Sequence, residues 1–177
     1  MPRLFSIKPS LTFKGRKFKG IRGFAGKPFH PPLTDIPVAA FLLTGIFDVI
    51  SYIAWQRSPD SSVARDLFTT ATYVVIAGAV VTVPTIITGF WDWLKSTPNR
   101  TQSWRTANWH MAVMLTMSMV VAADIMLRLA YWDTGYVQGT DSTITILSAI
   151  IGVLVSFGAI YGGTMVYEYG FNVEQDF

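Results

Sequence analysis

LFTTATYVVIAGAVVTVPTIITGFW, residues 67–91, runs for twenty-five positions without one Asp, Glu, Lys or Arg. A hydrocarbon core about 30 Å thick is crossed by roughly 20 helical residues rising about 1.5 Å each. The stretch is therefore long enough to span a bilayer as a helix. Three other stretches read the same way, at about 33–55, 107–131 and 144–167, and none carries more than two charged residues. The ten-residue alternating segments of a membrane β-barrel are absent from the sequence. The fold class predicted is all-α: an integral membrane four-helix bundle over residues 30–173, with a basic N-terminal extension at 1–29 and a short C-terminal tail at 174–177.

Composition points the same way. Of 177 residues, 51% are hydrophobic and 14% charged, where a soluble domain averages about a quarter charged. With no Cys in the chain, disulfides, thiolate metal sites, cysteine-held iron–sulfur clusters and a nucleophilic thiol are excluded. The net charge of +3 comes from a tail in which Arg3, Lys8, Lys14, Arg16, Lys17, Lys19, Arg22 and Lys27 meet no acid. Because that excess lies beside a membrane span, topology explains it and nucleic acid is not needed as a partner. The tail lacks the apolar run of a secretory signal, and a transit peptide fits its acid-poor composition somewhat better. It reads either as a segment on anionic headgroups, worth about 1 kcal/mol per Lys or Arg, or as a docking arm for other membrane subunits.

Charge also orients the bundle. The tail and the connector Lys95–Thr106 carry eleven Lys and Arg on one side, whereas Arg57, Arg65 and Arg128 make three on the other. The positive-inside rule then predicts a protein of the cell's inner (cytoplasmic) membrane with both termini in the cytoplasm. The connectors Gln56–Asp66 and Trp132–Thr143 face out. Tyr52, Trp55, Trp91, Trp93, Trp104, Trp109, Tyr131, Trp132 and Tyr136 fall near the interfaces, as an aromatic belt does.

In this topology the starts of spans 1 and 3 and the ends of spans 2 and 4 share one end of the bundle. His30, Asp35, Asp92, His110, Glu168 and Tyr169 gather there. Helix capping and mutual hydrogen bonding are the plainest use of such residues. A binding site is the other. Two neutral imidazoles at one depth are the donor set of a b-type haem, so His30 and His110 are the candidate haem ligands. A zinc or iron site completed by Asp92 or Glu168 is a further alternative, without an HxxxH or HExxH pair behind it.

Three charged residues lie deeper. Asp124 and Arg128 share a helix face at i, i+4 as an ion pair. Asp48 either joins that pair across the bundle or belongs to a proton path. Pro84 should kink span 2, and small residues at Ala77–Ala79 and at Gly152, Ser156, Ala159 and Gly163 allow close helix contact. No GxSxG or phosphate-cradling glycine loop occurs, which makes an enzyme the less favoured class.

HPPLTDIP at 30–37, Asp48 beyond it, GFWDW at 89–93, His110 at the opening of span 3 and YGGTMVYEYGFNV at 161–173 together resemble the bacterial membrane family known as domain of unknown function 2231 over about residues 28–173. The resemblance implies four spans, a His-Pro opening, a His in the third span and a Gly-Gly-x-x-Val-Tyr closing motif that usually runs on into His-Gly. Tyr169 stands here where that third His is usual, which weakens a haem or metal role for this chain. Members also occur beside Rieske-type proteins, which implies membrane electron transfer by association. The leading expectation is a non-catalytic subunit of a larger energy-transducing or electron-transfer membrane complex. A small b-type cytochrome is the alternative, and a proton or small-solute transporter the third reading.

Overall fold

The computed structural model describes Ile21, residues 29–134 and residues 138–171. The basic residues of the tail, Tyr136 and the C-terminal tail lie outside the described residues. Four helices account for the fold: α1 (His30–Arg57), α2 (Ser62–Ser96), α3 (Gln102–Asp133) and α4 (Ser142–Tyr167). Among the described residues there is no strand. All four helices are long and apolar enough to cross a membrane, so the all-α membrane bundle read from the sequence is what forms.

Each helix extends beyond its apolar stretch, and the connectors are correspondingly shorter than the sequence suggests. Polar caps explain why. The side chains of Ser61, Thr101 and Asp141 accept from the backbone N–H of Ala64, Trp104 and Ile144, three residues into α2, α3 and α4. This satisfies donors that a helix start leaves open. The turns carrying Arg65, Asp66, Lys95 and Arg105 are therefore helical although their residues are not apolar.

At the start of α1, Pro31 and Pro32 take positions where a missing N–H removes no helical bond. Pro84 does not end α2, which runs unbroken through it. The hydroxyls of Thr82, Thr85 and Thr88 donate to the carbonyls of Gly78, Val81 and Pro84, keeping their polar atoms satisfied inside the helix.

The helices pack as two hairpins, α1 along α2 and α3 along α4, with α1 against α4 and α2 against α3 closing the bundle. Helices α1 and α3 thus face each other diagonally. Phe41, Val75, Met117, Val121, Ile151 and Val155 form the buried middle, drawn from every helix. Outside, Val80, Ile87, Met119 and Met126 are each more than 60% exposed. Apolar side chains face outward while Asp48, Thr72, Asp124, Arg128 and Ser148 are buried, the arrangement expected when the surroundings are hydrocarbon.

Candidate functional site

Alternating helix direction gives the bundle two unlike ends. At the histidine end, His30 leaves the first turn of α1 and turns toward α2. Its Nδ1 lies 3.1 Å from the carbonyl oxygen of Thr85 and 3.2 Å from Thr88 Oγ1. His110, near the start of α3, turns toward α4 and places Nδ1 3.0 Å from the carbonyl oxygen of Gly158. A carbonyl oxygen only accepts, so Nδ1–H donates in both rings and Nε2 keeps its lone pair.

The two sites match in construction. His30 lies against Gly89, where an added Cβ would come within 2.6 Å of its Cε1. His110 lies against Gly162, with Cε1 3.7 Å from the corresponding point. Each glycine is four residues after the carbonyl that its histidine bonds, Thr85 in one hairpin and Gly158 in the other.

The other residues of this end divide between helix contacts and surface. Asp35 is exposed. Asp92 is buried and accepts from the backbone N–H of Ile21 at 3.1 Å. Tyr169, fully buried, packs with Ala107 and Phe171 against Trp93 and Met165, its hydroxyl 3.4 Å from Thr106 Oγ1.

A left-handed (αL) helix ending sets that position. Gly170 adopts φ 64°, Phe171 N–H donates to the Met165 carbonyl and Gly170 N–H to the Val166 carbonyl. Tyr169 and Phe171 are thereby turned inward. Glu168 Oε2 is buried without a hydrogen-bond partner among the described residues. Trp93 Nε1–H donates to Asn108 Oδ1 at 2.8 Å and ties α2 to α3. Among the described residues no three His, Asp or Glu side chains converge as a metal site.

At the opposite end one guanidinium joins all four helices. Arg128 of α3 donates to both carboxylate oxygens of Asp48 on α1, through Nη1 and Nη2. Its Nε donates to Asp124 Oδ2 at 2.7 Å, Nη1 reaches Thr72 Oγ1 on α2 at 3.3 Å and Nη2 reaches Ser148 Oγ on α4 at 3.1 Å. Asp48 also accepts from the hydroxyls of Ser148 and Thr140. Phe68 lies under the guanidinium, 5.6 Å from its ring centroid to Cζ. Arg128, Asp48 and Asp124 are all fully buried. The expected i, i+4 pair is thus part of a network through the bundle.

A family model described as "Predicted membrane protein (DUF2231)" matches residues 26–175. The chain belongs to this family. Neither a curated protein nor a solved structure matches it. As a member of the family, it is a membrane protein with four candidate spans, in contact with the lipid bilayer.

Sequence reasoning missed the carbonyl partners of the histidines, since a backbone oxygen has no signature of its own. The spacing of Gly89 after Thr85 and Gly162 after Gly158 is the trace they leave. It also missed Thr72, Thr140 and Ser148, ordinary hydroxyls in apolar surroundings.

Proposed function

We propose that the histidine end is a redox-group site and that the protein carries electrons within a membrane assembly, holding one b-type haem between His30 and His110. The observation that carries this reading is the pair of Nδ1–H donations to the carbonyls of Thr85 and Gly158. A ligating imidazole needs one nitrogen held by a hydrogen bond and the other free with its lone pair. Such an outer bond fixes both tautomer and ring direction. The two rings stand on diagonal helices at the same end of the bundle, and bundles build cofactor sites from side chains on facing helices.

The surrounding residues fit the group in chemistry. The donors are neutral imidazoles, and Gly89 and Gly162 bring backbone, without side chains, up to the rings. Bound there, haem would supply one-electron chemistry. The chain's part would be ligation through the two Nε2 atoms and orientation of the rings through Thr85, Thr88 and Gly158.

Tyr169 occupies the place where relatives usually have a third His, so this chain is left with a single pair. Membership of a larger complex, through the tail and this end of the bundle, is compatible with that role. The orientation with both termini in the cytoplasm is part of the same proposal and would set the haem near the cytoplasmic face.

A reduced-minus-oxidised visible spectrum of the full chain purified in mild detergent tests it, beside His30→Ala and His110→Ala. A b-type band lost in both variants is expected. A flat spectrum from the wild-type protein, grown with haem supplied, would overturn the reading and leave the histidines as locks within each hairpin.

A further inference from the structure

The arginine end holds more negative than positive charge. Asp48 and Asp124 are both fully buried, and the one cation between them is Arg128, equally buried. With all three ionised the cluster has a formal charge of −1 inside the membrane-spanning part of the bundle. A charge left over there, away from water, is unfavourable.

The two carboxylates are not equivalent. Asp48 uses both oxygens, accepting from two guanidinium nitrogens and from the hydroxyls of Thr140 and Ser148. Asp124 meets Arg128 through Oδ2 alone, and its Oδ1 is buried with no hydrogen-bond partner among the described residues. Four donors stabilise the negative charge on Asp48, whereas one serves Asp124. An unsatisfied buried carboxylate oxygen is the least favourable place for that charge.

The remaining ionisable groups do not alter the count. From α2 the cluster meets Thr72 and Phe68, neither of which is charged. From the start of α4 it meets Ser148 and, farther out, Asp141, whose charge acts on Asp124 in the same sense as that of Asp48. Tyr131 lies beside Asp141.

We propose that Asp124 carries a proton in the resting protein and is a proton-binding site whose occupancy is set by the Asp48–Arg128 pair. While Asp48 holds Arg128, one carboxylate already balances the guanidinium and Asp124 keeps its proton. When Asp48 is withdrawn, Arg128 needs Asp124 as its anion and the Oδ1–H proton is released. No covalent bond other than O–H changes. The ligand is a proton, and the device is independent of whether haem binds at the other end.

Infrared difference spectroscopy of the full chain in liposomes at neutral pH reads this directly, in the carboxylic-acid C=O region that ionised carboxylates leave empty. A band that shifts in deuterated water is expected in the wild-type protein. It should be absent in Asp124→Asn, because the acid is gone, and also in Asp48→Asn, because Asp124 then ionises against Arg128. It should persist in Asp141→Asn and Glu168→Gln.

If Asp48→Asn fails to fold, Asp124→Asn decides alone: its charges balance, so it should fold and lack the band. A wild-type spectrum without the band overturns the proposal, as does a band that survives in Asp124→Asn. Stability of the wild-type protein that requires sodium or potassium, with no acid band, assigns the balancing charge to a metal cation and overturns it too.

Discussion

Asp48 and Arg128 face each other across the bundle from diagonal helices, each eighteen residues on from the histidine near the start of its helix, His30 and His110. With the matched Thr85–Gly89 and Gly158–Gly162 pairs, this gives the two hairpins a common plan about an axis running along the bundle. Parallel repeats of this kind are known in other membrane folds. The plan places like residues at one end, where each hairpin holds an imidazole, and unlike residues at the other, where a carboxylate meets a guanidinium.

Arg128→Met should be the most damaging single substitution at that end. It leaves the Asp48 carboxylate buried without its cation, and removing one partner of a buried pair costs about 3–5 kcal/mol. The expected result is loss of the monodisperse species in mild detergent, or a large fall in its thermal midpoint. A variant as stable as the wild-type protein would show that the network contributes nothing net.

The two histidine seats should respond differently to the same added methyl group. In Gly89→Ala the new Cβ would stand 2.6 Å from His30 Cε1, which forces the ring away from Thr85. Overpacking of this kind costs about 1–3 kcal/mol. In Gly162→Ala the gap to His110 Cε1 is 3.7 Å, an ordinary contact. Thermal melting should therefore separate them, with Gly89→Ala lowered and Gly162→Ala near wild type. Where haem is bound, its loss should follow Gly89→Ala alone.

Much of this was legible in the sequence, and the reason is the bilayer. Spans such as 67–91 declare themselves because hydrocarbon tolerates few charges, and alternation of four spans then collects His30, Asp92, His110 and Glu168 at one end. Asp124 and Arg128 were readable as a pair because helical periodicity sets them together. The meeting of Asp48 with Arg128 is a contact between residues eighty apart, which no local period encodes. Helix ends were less legible than spans for a related reason. Lys95 and Arg105 read as connector, yet α2 runs to Ser96 and Thr101 caps α3, so both helices continue past their apolar stretches. Tyr169 was legible from topology as a residue of the histidine end and as a departure from the family pattern, but not as a buried ring. Its burial depends on the left-handed turn at Gly170, which follows from backbone geometry.

Close helix contact gives a second paired test. A Cβ at Gly78 would fall 2.8 Å from Ala40 Cβ and 3.0 Å from Phe41 Cε1, so α1 and α2 touch there without room to spare. Gly152 meets nothing within 4 Å of the same point. Gly78→Ala should destabilise by about 1–3 kcal/mol. Gly152→Ala should be neutral or stabilising by about 0.5–1 kcal/mol through helix propensity. Parallel thermal melts in detergent check both, and equal losses would indicate that Gly152 is covered by another helix in the assembled protein.

Orientation can be tested without altering the background, because the chain has no cysteine. Asp60 lies in the connector between α1 and α2, and Asn99 in the connector between α2 and α3; both are exposed and belong to opposite ends of the bundle. The surplus of Lys and Arg beside Asn99 assigns that end to the cytoplasm. Asp60→Cys should then react with a membrane-impermeant maleimide in intact spheroplasts, and Asn99→Cys only after lysis. The reverse pattern would place the histidine end outside and move the proposed redox site to the other face of the membrane. Labelling of both positions in intact spheroplasts would indicate mixed insertion, which a tail of eight basic residues should prevent.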